Sequence, residues 1–240
     1  MPQIDVAPPW ERAEQDSLQR FTELPSSIVG DAMERIGVCD GVIEAQWSGV
    51  HLVGTVLPIW TIAGDNAALH AALQHVQPGD VFVIDGQGLR NRALFGEMLA
   101  LSGIQRGLAG VVIDGAVRDT AALAALQFPA FARGRSPAGP FKNGPGRIGY
   151  PIACGGVPCN AGDIVVADDD GVVIVARDSA RAVARCADAL LRTEQKKRSE
   201  RSIGSATPKA LRQSRHSTAR PSGDTGAKHC HPSIRKLRTR

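Results

Sequence analysis

Three charged side chains in the middle of the chain have the types and spacing to do chemistry. Glu97 is separated by twenty residues from the adjacent pair Arg118 and Asp119. Two short apolar runs, residues 81–84 and 110–113, precede them, and each predicts a buried strand. Because ligands of α/β proteins collect at the carboxyl ends of strands, we expect these three side chains to lie near one another.

Two carboxylates and a guanidinium suit a hard divalent cation that holds an oxyanion substrate. Carboxylate and water oxygens are the ligands of Mg²⁺ or Mn²⁺, and arginine pairs with a carboxylate or enolate oxygen. The alternative interpretation is structural, with a helix-capping aspartate and a surface salt bridge. The spacing alone does not decide between the two.

The start of the helix that contains Glu97 determines which backbone amides can bind an anion. The pattern predicts a helix over residues 93–102, stopped by Gly103. A start near Ala93 commits the amides of residues 96–99 to the helix, whereas a start nearer Gly96 leaves them free for a carboxylate. The sequence leaves both starts open.

The lysines, cysteines and histidines of the chain argue against a Schiff-base mechanism and against a zinc or histidine metal site. Lys142, in a Gly- and Pro-rich loop, is the single lysine of residues 1–194, so a Schiff-base mechanism is not favoured. The five cysteines are widely spaced without a CxxC motif, which predicts reduced thiols and argues against a zinc site. His70 and His75 lack the spacing of a helical metal pair and are predicted to pack or lie at the surface.

The remaining elements predict an α/β or α+β sandwich in one domain. Besides the segments above, strand is predicted over 50–62, and a β-hairpin over 163–175 whose turn is formed by three consecutive aspartates. Helices are predicted within 17–37, after the capping pair Asp65–Asn66 through residue 76, and over 120–126 and 178–193. No apolar run has the length of a membrane span and no secretion signal is evident, which predicts a cytoplasmic protein.

Charge divides the chain into an acidic body and a basic tail. Residues 195–240 hold 13 Lys and Arg against two Asp and Glu, whereas residues 1–194 hold 15 against 22. We therefore predict a folded domain over 1–194 and a disordered basic tail over 195–240, although the residues just after 194 also suit a continued helix. The body is not predicted to bind nucleic acid, whereas the tail suits non-specific electrostatic binding.

Several segments, taken in order, resemble the RraA-like family and, within it, the 4-hydroxy-4-methyl-2-oxoglutarate aldolases. The resemblance covers about residues 20–195 and includes the acidic residue, twenty-residue spacer and Arg-Asp pair of that branch. The segments that carry it are residues 28–37, 64–66, 81–86, 94–97, 110–119, 142–146, 154–156 and 162–175. It implies a single-domain swivelling β/β/α sandwich that assembles as a homotrimer or hexamer.

The resemblance also implies a site and a reaction. Asp119 would ligate Mg²⁺ or Mn²⁺ directly. Glu97 of the same chain would contact the ion through water, and so would Glu194 of the partner subunit. Arg118 would contact the keto oxygen of a 2-oxo acid substrate. The backbone amides of three further residues would bind its carboxylate; these are Gly96, Met98 and Leu99. The implied activity is retro-aldol cleavage to pyruvate, with oxaloacetate decarboxylation as a side activity.

A second hypothesis is a non-catalytic regulator on the same fold that binds a ribonuclease or another protein. The regulator branch typically lacks the acidic residue after the arginine. The pair Arg118–Asp119 therefore favours the enzyme.

Overall fold

A ten-stranded mixed sheet forms the centre of the protein in the computed structural model, which describes residues 3–205. Four neighbouring strands run parallel through its middle. In spatial order they are β3 (Leu52–Thr61), β4 (Asp80–Asp85), β6 (Gly110–Val117) and β7 (Ala130–Arg135). Parallel strands of this kind are covered on both faces, which explains their almost continuous apolar sequences.

Shorter strands complete the sheet and a separate hairpin. β1 (Ile4–Val6) and β8 (Gly146–Ile148) extend it beyond β3, β2 (Glu44–Ala45) pairs with β7, and β5 (Ala93–Phe95) runs beside the end of β6. β11 (Ile164–Asp168) and β12 (Gly171–Val175) form a hairpin that pairs with β3. β9 (Ile152–Cys154) and β10 (Val157–Cys159) form the separate two-stranded sheet.

Helices cover one face of the central strands, and the alternation of side chains along β4 shows this. Phe82 and Ile84 enter the apolar cluster formed with three of the helices, whereas Val81 and Val83 enter the cluster on the other face. The helices are α1 (Gln15–Phe21), α2 (Ser26–Ala32), α3 (Ala67–Ala72), α4 (Glu97–Ile104), α5 (Thr120–Ala125) and α6 (Ala180–Ser205). The predicted single mixed α/β domain is confirmed. Within residues 3–205, no helix is long and apolar enough to span a membrane.

The structure corrects the predicted helix over residues 93–102. Residues 93–95 form strand β5, because Ala93, Leu94 and Phe95 are buried and pair with the end of β6. The helix begins only at Glu97. The single helical region predicted within 17–37 is in fact two helices, with Pro25 directly before the second.

Helix α6 continues past residue 194, where the body was predicted to end. Its first half is buried through Ala180, Val183, Ala184 and Ala187, and the side chains of residues 192–201 are exposed. The predicted disorder is therefore wrong for residues 195–205, because this stretch is rich in Gln, Lys, Arg and Glu, which favour helix. The rest of the basic tail lies outside the described residues, and the division into domain and tail stays a prediction.

A buried carboxylate, that of Asp65, joins the start of α3 to the loop after β7. One carboxylate oxygen, Oδ1, accepts the amide of Ala67 at 2.8 Å. Of the predicted capping pair, Asp65 therefore binds the first turn of α3, whereas Asn66, at the N-cap position, makes no side-chain capping bond. The other carboxylate oxygen of Asp65, Oδ2, accepts the amides of Asn143 and Gly144 at 2.9 and 2.8 Å. Two segments far apart in sequence are thereby held together.

We predict that Asp65→Ala lowers the free energy of unfolding by about 3 kcal/mol, because it leaves three amides without their charged acceptor. Urea denaturation followed by circular dichroism measures this. The matched control is Asp31→Ala, which removes an exposed carboxylate from α2 and is expected to cost less than about 1 kcal/mol. Equal losses in the two variants would contradict the assigned role of Asp65.

Candidate active site

The candidate site lies where β5 and β6 end side by side. Phe95 and Val117 are register partners, and the amide of Arg118 donates to the carbonyl of Phe95 at 3.0 Å. The residues that follow each strand, Gly96 and Arg118, are therefore neighbours. The expectation that these segments meet at the carboxyl ends of strands is confirmed, with β5 in place of β4 as the strand before Glu97.

Asp119 adopts an unusual backbone conformation that brings its carboxylate onto the start of α4. Its φ and ψ are 57° and 36°, the left-handed region that aspartate tolerates better than most side chains. Its Oδ2 accepts the amide of Glu97 at 3.2 Å and lies 3.4 Å from Nε of Arg118. Such residues are common at functional sites, and within residues 3–205 four other non-glycine residues also have positive φ, so this conformation alone does not mark the site.

Gly96 permits this approach because it has no side chain. A Cβ at this position would lie 2.5 Å from Oδ2 of Asp119 and 2.9 Å from Cγ of Arg118. Its φ of −165° is ordinary extended backbone, so the requirement for glycine comes from the close contact alone.

The start of α4 at Glu97 settles which of the two predicted helix starts is right. The first amides of a helix lack partners within it and favour an anion. The amide of Glu97 already donates to Asp119, and that of Leu99 donates to the carbonyl of Gly96 at 3.1 Å. Among the amides predicted to bind a carboxylate, those of Gly96 and Met98 are thus more available than that of Leu99.

The charged side chains of the site are accessible. The side chains of Arg118 and Asp119 are 42% and 39% exposed, and Glu97 is partly exposed. Arg118, Gly96, Met98 and Leu99 line a cavity of about 130 Å³.

Three of the further residues that line this cavity are polar, and sequence reasoning did not assign them to the site. They are Asn66, His70 and Lys142. Asn66 and Lys142 lie in segments 64–66 and 142–146 of the family resemblance, and His70 lies in none of its segments.

Glu194 does not join this group within the chain. It lies on the exposed half of α6, and α6 packs against α2. Its predicted contact involves another subunit and stays a prediction.

The residues present fit a magnesium- or manganese-type ion better than zinc. Within residues 3–205, no group of three or more His, Cys, Asp or Glu side chains is arranged to hold a metal. Mg²⁺, however, usually keeps several waters and binds through one or two carboxylates, which Asp119 and Glu97 can supply. The three consecutive aspartates do form the β11–β12 turn as predicted, and Asp168 and Asp169 accept backbone amides.

Comparison with known proteins now places the chain. The family model described as RraA-like, Aldolase/RraA, matches residues 26–174. The chain belongs to the RraA-like family. It is 38% identical over 164 residues to a Halalkalibacterium halodurans protein named "Putative 4-hydroxy-4-methyl-2-oxoglutarate aldolase", covering 68% of this chain and 78% of that protein.

Solved structures of the same family share the fold of this RraA-like chain. An unusual member of the RNase ES inhibitor RraA protein family from Streptomyces coelicolor superposes with a TM-score of 0.69 at 27% identity, covering 80% of this chain and all of that one. The RNA-processing inhibitor RraA from Thermus thermophilis gives a TM-score of 0.59 at 29% identity, covering 64% and 93%.

Three cysteines of this RraA-like chain lie buried together, away from the candidate site. Cys39, Cys154 and Cys159 belong to one apolar cluster, and the thiol of Cys39 donates to the carbonyl of Cys154 at 3.6 Å. Burial raises the pKa of all three thiols, that of Cys39 to about 12. They are therefore protonated and unreactive near neutral pH.

We predict that these three thiols react with Ellman's reagent only after unfolding. Of the five cysteines, at least three are expected to react slowly in the native RraA-like chain and all five quickly in guanidinium chloride. Raising the pH from about 7 to about 9 should leave the slow class slow, because the pKa values of these thiols lie far higher. Rapid reaction of three or more thiols in the native chain would contradict this.

Proposed function

We propose that this chain is a divalent-metal-dependent aldolase. It cleaves 4-hydroxy-4-methyl-2-oxoglutarate, or a related 4-carboxy-4-hydroxy-2-oxo acid, to pyruvate. The observation that carries the proposal is the meeting of the Arg118 guanidinium, the Asp119 carboxylate and the backbone amide of Glu97 at the start of α4. The aldolase name of the 38% identical relative supports it.

The two carboxylates of the site would hold the metal. Asp119 would ligate Mg²⁺ or Mn²⁺, and Glu97 of the same chain would contact the ion through water. In a homotrimer or hexamer, Glu194 of the partner subunit would add a further contact through water. When bound, such an ion withdraws electron density from the 2-oxo group of a substrate. The left-handed backbone at Asp119 aims its carboxylate toward the start of α4.

Arg118 would contact the keto oxygen, and the start of α4 would bind the adjacent carboxylate. The guanidinium is fixed beside Asp119, so it would stabilise negative charge on the oxygen as that charge develops. The amides of Gly96 and Met98, at the positive end of the helix dipole, suit the C1 carboxylate.

The reaction balances with one water molecule as proton carrier. The C4 hydroxyl would lose its proton to water, the C3–C4 bond would break, and its electron pair would form the pyruvate enolate, whose oxygen would face Arg118. C4 would leave as a carbonyl, and water would return the proton to the enolate at C3. For 4-hydroxy-4-methyl-2-oxoglutarate both products are pyruvate. Oxaloacetate would form the same enolate with carbon dioxide as the leaving group.

We predict that Asp119→Asn lowers pyruvate release at least about a hundredfold, because it removes the charged ligand of the ion. A lactate dehydrogenase-coupled assay with Mg²⁺ measures this, and EDTA should abolish the wild-type rate. Asp178→Asn, which alters an exposed aspartate near the start of α6, is the control and should retain activity. Near-wild-type activity of Asp119→Asn would refute the metal assignment.

We predict that Gly96→Ala lowers activity at least about tenfold and raises the Mg²⁺ concentration for half-maximal rate, since the new Cβ displaces Asp119 and Arg118. The unfolding free energy should change by less than about 1 kcal/mol, because the displaced side chains are exposed and φ is unstrained. Gly41→Ala, where a Cβ meets nothing within 4 Å, is the control. If the wild type, Gly96→Ala and Gly41→Ala required the same Mg²⁺ concentration for half-maximal rate, this would count against the role of Gly96.

A second candidate is a non-catalytic regulator that binds a ribonuclease, favoured by the descriptions of the Streptomyces and Thermus structures as RraA-family inhibitors. The same assay separates the two. Wild-type protein that releases no pyruvate from either substrate with Mg²⁺ or Mn²⁺ would favour the regulator.

A further inference from the structure

We infer that Lys142, together with His70, recognises the C4 end of the substrate, with Lys142 binding the C4 carboxylate. This inference rests on the proposed function. It gives a role to the part of the cavity that the proposed metal, Arg118 and the α4 amides do not use.

The charge of the cavity calls for a second anionic group. Its lining includes two full cations, Arg118 and Lys142, and within the described residues no Asp or Glu lines it. A monocarboxylic 2-oxo acid would be satisfied by Arg118 and the helix amides. The volume of about 130 Å³ is well below the roughly 300 Å³ at the lower end of ordinary ligand pockets, so it suits a small acid.

The backbone on both sides of Lys142 is fixed, so its place at the cavity is built into the fold. The amide of Phe141 donates to the carbonyl of Gly64 at 2.8 Å, and the carbonyl of Phe141 accepts the amide of Asn66 at 3.0 Å. On the other side, Asn143 donates its amide to the buried carboxylate of Asp65. Arg92 further covers the ring of Phe141, at 4.2 Å from its centre.

Asn66 forms the adjoining part of the cavity wall. It is 4% exposed, and its Nδ2 donates to the carbonyl of Leu94 at 3.1 Å, which fixes the orientation of the amide. Within residues 3–205 its Oδ1 has no hydrogen-bond partner, and this atom is buried. Because the oxygen presents almost no accessible surface, we assign it no contact with the substrate.

His70 lies one turn after Asn66 on α3 and completes this wall. Partial burial and the charge of Lys142 lower the pKa of His70, which favours its neutral form. A neutral imidazole donates one hydrogen bond without adding a second full charge. The wall then carries one cation, which matches one carboxylate.

Binding of a matched pair of unreactive acids tests the inference on the full-length protein with Mg²⁺. 2-Oxoglutarate carries the second carboxylate of the substrate without its hydroxyl and methyl groups, and 2-oxopentanoate has a methyl group in place of that carboxylate. By calorimetry we expect the wild type to bind 2-oxoglutarate at least about tenfold more tightly. We expect Lys142→Met to lose this preference and Lys142→Arg to retain it.

The control for net charge is Arg106→Gln, which removes an exposed cation beyond the end of α4. It is expected to keep the wild-type preference. A wild type that binds both acids equally, or a Lys142→Met variant that keeps the preference, would overturn the inference.

Turnover separates this inference from the proposed function. The ratio of kcat/KM for 4-hydroxy-4-methyl-2-oxoglutarate to that for 4-hydroxy-2-oxopentanoate, which lacks the C4 carboxylate, should fall at least about tenfold in Lys142→Met. A wild type that shows the binding preference and releases no pyruvate would refute the aldolase while supporting the carboxylate subsite. An equal fall on both substrates would refute the assignment of Lys142.

Discussion

The candidate site depends on one close contact, the approach of the Asp119 carboxylate to the backbone of Gly96 and Glu97. It requires a left-handed residue after β6, a residue without a side chain after β5, and a free amide at the start of α4. The left-handed backbone is unfavourable by itself, whereas a carboxylate that accepts the first amide of a helix is stabilising. The contact therefore fits both the proposed metal site and the structural alternative of a helix-capping aspartate.

The sheet makes this contact possible because it brings two strand ends into register. β6 is buried on both faces and carries β5 beside its last residues, so Gly96 and Arg118 follow from adjacent positions. Asp65 anchors the part of the cavity that contains Lys142. Its carboxylate accepts amides from the Lys142 loop and from the start of α3, so it holds the two together. The cavity thus joins two independently anchored parts of the chain.

The sequence predicted the elements whose patterns are strong and local. The central strands, the β11–β12 hairpin and the capping role of Asp65 have clear signals, as has the spacing of Glu97 and Arg118. Strand β5 was missed because three apolar residues directly before a helix look like its first turn. Only their pairing with β6, a long-range interaction, makes them a strand. Asn66 and Lys142 were missed because more than seventy residues separate them and no local pattern relates them.

The charge of the cavity also shows why overall composition was a poor guide to the ligand. The basic pI of about 9.0 reflects the tail, and the body of residues 1–194 is acidic. Within that acidic body, the cavity lining holds two cations and no described carboxylate, and the carboxylate of Asp119 lies beside Gly96, one of the lining residues. A dianionic acid and a divalent metal would each meet the opposite charge there, and their mutual attraction would further strengthen binding. Under the proposed function, this separation of charge would favour a metal-chelating diacid over a simple anion.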